Sequence, residues 1–417
     1  ALIRETKEET GIEKNILLDA IEQALVSAYK KNYGSSQNVT VNIDTENGEN
    51  MTYTNTHIPP RGAATVAHIA RTLLGLTFVF SGFVKAVDPL GTTYKIEDYL
   101  KAFGGFFTDL LPLAQTAAMM LIAVEFVLGM CLLLNVRTGW TAWLSLAFYA
   151  VMTPLTLYVA LSNPVSDCGC FGDALVISNW QTFWKNVVLL TLVIVLLCTK
   201  KHVPTTLAPR IEAVIAAAAL TAVLVLMFVT LNRLPFMDFR PYKIDNNIPS
   251  LMEYPEDAQP DEYAITFVYE KDGEQREFTL ENYPKNDSSW VFVSQNSRLV
   301  KKGYEPPIHD FEILNEEFED ITFDILESEQ PVTLAIMYDL SKADRKQAAR
   351  LNELANQSSA FYAVTGSGSQ EIEQFKQETN AQYELCTCDP VTLKTIVRAN
   401  PGIVVIQNGT VINKYNL

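Results

Sequence analysis

The sequence predicts a multi-domain chain: an α-helical membrane bundle of about five spans, an α/β domain after it outside the membrane, and a short α/β segment before it. Three observations predict this. The 417 residues are 48% hydrophobic and only 19% charged. The charge is unevenly spread: residues 1–60 hold 5 Lys/Arg against 9 Asp/Glu, residues 61–231 hold 10 against 8, and residues 232–417 hold 17 against 31. The long apolar runs all fall in the nearly neutral middle. A single soluble globule and a disordered chain are thereby excluded. No region is basic enough to neutralise phosphates, which argues against nucleic-acid binding by the membrane and C-terminal parts.

Residues 12–33 place Ile16, Leu17, Ala20, Ile21, Ala24 and Leu25 near helical spacing, and Val39–Ile43 reads as a strand. The run from Gly11-Ile12-Glu13-Lys14, through Ala20-Ile21-Glu22-Gln23-Ala24-Leu25, to Ala28-Tyr29-Lys30-Lys31-Asn32-Tyr33 resembles the N-terminal domain of the transcription factor NusA, Firmicutes type, over residues 1–49. The resemblance implies contact with RNA polymerase if this segment is native. The RNA-binding domains that should follow are missing, and Met51 opens what reads as a natural membrane-protein start. Residues 1–50 are therefore expected to be a fused fragment, and residues 51–62 a linker.

Spans are predicted at residues 63–87, 113–136, 139–161, 183–199 and 211–231. Each comes near the roughly 20 residues that a bilayer requires of a helix. The fourth is the shortest, with Trp180 and Trp184 at its interface. Buried helices of a soluble protein are the bland alternative, and five such runs in succession are rare there. The first run lacks the short apolar core and cleavage site of a signal peptide. Arg61, Arg71, Arg137, Lys200, Lys201 and Arg210 fall on one side if the N-terminus is cytoplasmic, and residues 162–181 carry no Lys or Arg. The expected location is the inner (cytoplasmic) membrane, with the C-terminal domain in the periplasm. Lys85, Lys95 and Lys101 in the first outer loop run against this, balanced there by Asp88, Glu97, Asp98 and Asp109.

Of six cysteines, Cys131 and Cys198 lie inside spans two and four and read as small apolar packing residues. The others form two Cys-x-Cys pairs, Cys168/Cys170 and Cys386/Cys388, both on the oxidising side, where disulfides persist. One intervening residue closes only a small bent ring, whose strain makes a disulfide labile and suited to exchange. Gly169 gives the first pair freedom to bend. A structural disulfide or idle thiols remain the alternative. Thr387 lacks that freedom, so for Cys386/Cys388 the structural reading weighs more. No metal site is predicted: no His lies near either pair, and the two-residue spacing of a zinc site is missing. Glu125, in the middle of span two, is costly in lipid and must face the bundle interior. It reads either as a proton acceptor or quinone-site residue, or as a structural hydrogen bond between helices.

Ser81-Gly82-Phe83-Val84-Lys85, Glu125, Asp167-Cys168-Gly169-Cys170-Phe171-Gly172-Asp173 and Trp184-Lys185-Asn186 together resemble the MauE/DoxX group of redox-associated membrane proteins, especially the forms in Bacteroidetes. The resemblance covers residues 63–231. It implies a small helical bundle distantly comparable to the vitamin K epoxide reductase type. It also implies Cys168, Cys170 and Glu125 as catalytic residues, a quinone as electron acceptor, and a link to methylamine utilisation through disulfide formation.

Residues 235–260 read as a linker within a β-rich segment spanning 232–307. Asp272-Gly273 between apolar runs signals a hairpin, and residues 290–294 a further strand. Strands and helices then alternate: strand 332–338, helix 341–356, strand 361–365, helix 370–378, strand 383–386, helix 390–399, and a hairpin of strands 403–407 and 411–414 around Asn408-Gly409. Gly366-Ser367-Gly368-Ser369 lacks the Lys of a phosphate loop and reads as a loop with Ser369 as helix cap. With Asp310-Phe311-Glu312-Ile313 as opening strand and Asn400-Pro401-Gly402 where a cis-proline belongs, residues 308–417 resemble a thioredoxin-like domain of the TlpA/peroxiredoxin kind. The chain departs from that family after the 332–338 strand, where Leu340-Ser341-Lys342-Ala343-Asp344-Arg345 carries no thiol.

The expected function is a thiol-disulfide redox protein embedded in the lipid bilayer. It would take electrons from thiols of an external client protein, directly or through Cys386/Cys388 as secondary redox residues, and pass them to a quinone. The alternative is a non-catalytic assembly or scaffold protein whose thioredoxin-like domain binds a client.

Overall fold

The computed structural model describes residues 19–25, 27, 39–43, 51–55, 61–165, 167–203, 207–260, 262–285, 287–301 and 303–417. Most of the expected N-terminal helix, and residues 56–60 of the expected 51–62 linker, lie outside the described residues. Residues 19–25 are helical, and β1 (Val39–Ile43) pairs antiparallel with β2 (Met51–Asn55). Met51, where the expected membrane part begins, is the first residue of β2.

Next come α1 (Arg61–Val87), α2 (Pro89–Phe103), a 3-10 stretch (Gly105–Leu113), α3 (Ala114–Leu133), α4 (Thr138–Ser162), α5 (Asn179–Thr199) and α6 (Pro209–Asn232). Among the described residues, α1, α3, α4, α5 and α6 are long and apolar enough to cross a membrane. The fourth span is longer than the sequence predicts. Ser178 accepts from the Gln181 backbone and Gln181 returns a bond to the Ser178 backbone, so this capping box starts the helix at Asn179. Helix α2 replaces an expected loop. Asp88 caps it by accepting from Gly91 N at 3.0 Å, and Pro89 takes the first position, where its missing N–H costs nothing.

Two compact units emerge. The first comprises Ala1–Phe83, Met120–Cys170 and Ile177–Val223. Its core gathers Leu74 and Phe78 of α1, Leu128 and Leu132 of α3, Tyr149 of α4, and Leu189 and Val193 of α5. Helices α1 and α3 nearly touch: a Cβ on Gly82 would lie 2.7 Å from Phe126 N, and one on Gly129 2.5 Å from Val79 N. Small residues permit such approach where no hydrophobic force drives helices together in lipid. Outward side chains such as Trp140, 74% exposed, are apolar, as a lipid-facing surface requires. Arg137 Nε meets the buried Glu212 at 3.3 Å, tying the turn after α3 to the start of α6. Cys131 is buried as expected, whereas Cys198 is exposed on α5 rather than packed, because the other side of that helix supplies the core.

The second unit comprises Val84–Met119, Phe171–Val176 and Leu224–Leu417. After α7 (Ile248–Met252), β3 (Glu262–Lys271), β4 (Glu274–Thr279) and β5 (Val291–Lys301) form an antiparallel sheet in the order β4-β3-β5. Then follow α8 (Thr322–Leu326), β6 (Val332–Met337), α9 (Arg345–Gln357), β7 (Ala360–Thr365), α10 (Ser369–Thr379), β8 (Leu385–Thr387), α11 (Pro390–Ile396), β9 (Gly402–Gln407) and β10 (Thr410–Asn416). The sheet order is β10-β9-β6-β7-β8, with β6, β7 and β8 parallel and β9 and β10 antiparallel. This is a thioredoxin-like sheet, and the Asn400–Pro401 bond is cis. Strand β6 is buried along its whole length because both faces are covered. Leu334 and Ile336 face one core, with Phe311, Leu393 and Val404. Ala335 and Met337 face the other, with Leu351 and Phe375.

Four local expectations change. Residues 235–260 are no mere linker, since Tyr242 and Ile248 belong to the domain core. The strand expected at Asp310-Phe311-Glu312-Ile313 reduces to a bridge at Leu314, bonded both ways to Thr387 at 2.9 and 2.8 Å. Helix α9 starts at Arg345 rather than Ser341, because Asp344 accepts from Lys346 N and caps it there. Gly368, not Ser369, occupies the N-cap of α10, and it makes no side-chain cap bond. Ser367 instead accepts from Leu340 N at 3.0 Å, bracing the loop where the family would carry its thiols.

Candidate functional site

The segment between α4 and α5 brings Cys168 Sγ and Cys170 Sγ to 2.8 Å. Gly169 adopts φ 65°, a left-handed conformation that β-carbon-bearing residues resist, and this turns the two neighbouring side chains toward each other. Asp167 Oδ1 accepts from Gly169 N at 2.8 Å and locks the turn. Both sulfurs are half-buried. Two thiols so placed can store one disulfide and exchange it with an incoming thiolate.

Glu125 is 3% exposed, facing the bundle interior as an intramembrane acid must. Ser81, near the end of α1, joins it to the cysteines. Ser81 Oγ lies 2.8 Å from Glu125 Oε2 and 2.8 Å from the Cys170 carbonyl oxygen. The hydroxyl has one proton for these two acceptors. Ser81 thus links the buried Glu125 carboxyl to the backbone of the cysteine segment. Phe78 packs against Tyr149, with ring centroids 5.3 Å apart, and against Phe148 in the core of the same unit.

Cys168, Cys170 and Glu125 are thus brought together, with Ser81 as the link, a residue that the sequence offered only as the start of the Ser81–Lys85 motif and without a role of its own. A hydroxyl on an apolar helix carries no signal of its own. Cys386 and Cys388 belong to the second unit. They are 0% and 8% exposed, within the thioredoxin-like core. Burial pushes each thiol up to about 12, the nearby carboxylates adding to the shift. That is the setting of a structural thiol rather than an exchanging one. Both are expected to resist iodoacetamide from pH 7 through pH 9, a range in which an ordinary exposed cysteine becomes fully reactive, and to label only after denaturation. Rapid labelling of either in folded protein at pH 8 would contradict this.

Three family models match the chain. Residues 63–199 match Methylamine utilisation protein MauE, residues 1–67 the NusA N-terminal domain, and residues 263–302 a domain of unknown function that corresponds to the β3–β5 sheet. With five membrane-length helices, the chain is a multi-pass membrane protein. Among curated proteins, it is similar to Transcription termination/antitermination protein NusA of Halalkalibacterium halodurans, 48% identical over 42 residues. The same-named protein of Bacillus subtilis (strain 168) is 50% identical over 42 residues. Each match covers 10% of this chain and 11% of the relative, so the chain spans only about a tenth of the length of these relatives. A solution structure described as a candidate protein disulfide isomerase from Bacteroides thetaiotaomicron aligns over 25% of this chain and 73% of its own, at 17% identity and a TM-score of 0.21. At that score, the thioredoxin-like assignment rests on the strand order itself.

Proposed function

We propose that this protein is a membrane-embedded thiol-disulfide oxidoreductase that moves electrons from thiols outside the membrane, through Cys168/Cys170, to a membrane quinone. The observation that carries this reading is the approach of the two sulfurs to 2.8 Å across a left-handed glycine. The family match over residues 63–199 supports a redox role. In the oxidised state, a client thiolate attacks one sulfur of the Cys168–Cys170 disulfide, forms a mixed disulfide and releases the other sulfur as thiolate. A second client thiol displaces the first sulfur. The client leaves as a disulfide, and Cys168/Cys170 hold two electrons and two protons as a dithiol.

The buried Ser81 hydroxyl and Glu125 carboxyl, beside the rings of Phe78 and Tyr149, would supply the polar and apolar groups that a quinone needs. Bound there, a quinone supplies a two-electron, two-proton sink that restores the disulfide. Glu125, linked to the cysteine segment through Ser81, is assigned the passage of the two thiol protons toward the quinone.

The test is differential alkylation in native membranes. Cys168 and Cys170 are expected to cycle between thiol and disulfide with quinone supply, and a pair fixed in one state would sink the reading. A scaffold role predicts that fixed state. Orientation is tested separately: a periplasm-active reporter fused after Asn232 is expected to be active. A fusion active only in the cytoplasm would reverse the proposed topology, in which the C-terminal domain lies outside the inner membrane.

A further inference from the structure

The thioredoxin-like domain carries no thiol after β6, yet it buries an arginine against the loops that join the spans. Arg398 follows α11 and its side chain is 9% exposed. Its Nε donates to Asp88 Oδ1 and Oδ2 at 3.1 and 2.9 Å, and its Nη2 to Asp88 Oδ2 at 2.6 Å. The same Nη2 reaches Asp173 Oδ2 at 3.3 Å, while Nη1 donates to the Lys394 carbonyl at 2.7 Å. Asp88 joins α1 to α2. Asp173 lies three residues after Cys170. One planar fork therefore holds two separate loops, a geometry that an ammonium could not reproduce.

The surroundings reinforce this contact. The negative end of α11 attracts three cations to successive carbonyls: Arg398 to Lys394, Arg240 to Thr395 at 3.1 Å and Lys414 to Ile396 at 2.7 Å. Asp238 neutralises the latter two, at 2.7 and 3.0 Å. Burial alone would raise Asp88, but the charge and hydrogen bonds of Arg398 outweigh it and hold the carboxyl below the usual carboxylate range. Tyr94 of α2 lies beside the guanidinium, 5.4 Å from its ring centroid, and donates to Tyr338 at the end of β6 at 3.2 Å. The edge of the domain at Tyr338 and Arg398 is thus covered by the chain's own helix.

We propose that Arg398 is a positioning residue for the Cys168/Cys170 disulfide, clamping Asp88 and Asp173 to the thioredoxin-like domain and so fixing the loop in which the two sulfurs meet. This rests on the redox reading above. The segment is then held at two points, the Cys170 carbonyl by Ser81 and the Asp173 carboxylate by Arg398. The domain, whose two cysteines lie buried in its core, acts as a holder of the redox loop.

The experiment uses the full-length protein in detergent, as wild type, Arg398→Gln, Arg398→Lys and Asp173→Asn. Two quantities are read: hydrogen exchange of residues 171–176, and the oxidised fraction of Cys168/Cys170 in glutathione redox buffers. Both Arg398→Gln and Asp173→Asn are expected to speed exchange about tenfold, as local opening becomes easier. The disulfide-to-dithiol ratio is expected to fall about tenfold, equivalent to about 30 mV for this two-electron couple, with Arg398→Lys intermediate. Continued masking of Cys386 and Cys388 shows that the domain remains folded, and half-exposed Asp173 gives a variant that spares the core. Unchanged exchange in both variants overturns the clamp. Faster exchange with an unchanged disulfide ratio overturns the positioning role. A wild type that forms no Cys168–Cys170 disulfide in any buffer defeats the redox reading and the positioning role with it, while the exchange data still report the clamp.

Discussion

Cys168→Ser and Cys170→Ser are each expected to reduce dithiol-driven quinone reduction to the uncatalysed rate, a loss on the order of a thousandfold or more, as when a covalent nucleophile is removed. The assay supplies dithiothreitol as electron donor and a short-chain quinone as acceptor to native membranes. The size of the effect follows from the chemistry of the pair. The internal disulfide needs both sulfurs, so either serine removes the only store of oxidising equivalents and leaves a single thiol that cannot resolve a mixed disulfide. Serine keeps the size of the side chain, and Gly169 at φ 65° with its bond to Asp167 keeps the turn, so the loop should survive the change. Masked Cys386 and Cys388 again report the fold. Cys386→Ser serves as the contrasting variant. It is expected to destabilise the domain by about 1–3 kcal/mol, by placing a hydroxyl in an apolar core without a partner, while leaving quinone reduction intact in the protein that remains folded. Full activity in either Cys168→Ser or Cys170→Ser would show that electrons take another route.

The parts of this molecule written in local pattern were legible in the sequence. Five apolar runs announced five membrane-length helices because length and hydropathy suffice for that. Asp272-Gly273 and Asn408-Gly409 announced hairpins, and all four residues take positive φ in the turns. Glu125 was visible as an acid in an apolar span, and Cys168/Cys170 as a pair around glycine. What escaped was either polar in a conventional way or paired over long distances. Helix α2 reads as loop because Lys95, Glu97 and Asp98 break its apolar stripe; its Asp88-Pro89 start was the available signal. Arg398 and Asp88 are 310 positions apart, and nothing local to either marks it as the other's partner. Ser81 and Glu125, 44 positions apart, meet only because two helices come unusually close.

That close approach yields a graded prediction. Gly82 and Gly129 meet backbone and near-backbone atoms: a Cβ at Gly82 would lie 2.7 Å from Phe126 N and 2.9 Å from its Cα, and one at Gly129 2.5 Å from Val79 N. Gly75 meets chiefly the end of a flexible side chain, Leu133 Cδ2 at 2.8 Å, while Gly139 has nothing within 4 Å. A side chain can rotate away, whereas a helix backbone moves only by shifting the helix. Gly82→Ala and Gly129→Ala are therefore expected to destabilise the bundle by about 1–3 kcal/mol, the usual cost of overpacking, with Gly75→Ala at the lower end. Gly139→Ala should be neutral or stabilising by up to about 1 kcal/mol, through helix propensity. The site responds most to Gly82. Its forced contact is with Phe126, the residue after Glu125, and its own neighbour is Ser81, so parting the helices there lengthens the 2.8 Å bond between Ser81 and Glu125. Gly82→Ala should lower quinone reduction by at least tenfold at a temperature where the protein is still folded, about 1.4 kcal/mol in the barrier. Gly129→Ala, one helical turn from Glu125, should cost comparable stability and less activity. The measurement is the denaturation midpoint of each variant in detergent beside its rate. Equal midpoints for Gly82→Ala and Gly139→Ala would mean that α1 and α3 are not in backbone contact. A destabilised Gly82→Ala with wild-type activity would mean that the Ser81–Glu125 link is dispensable for the reaction.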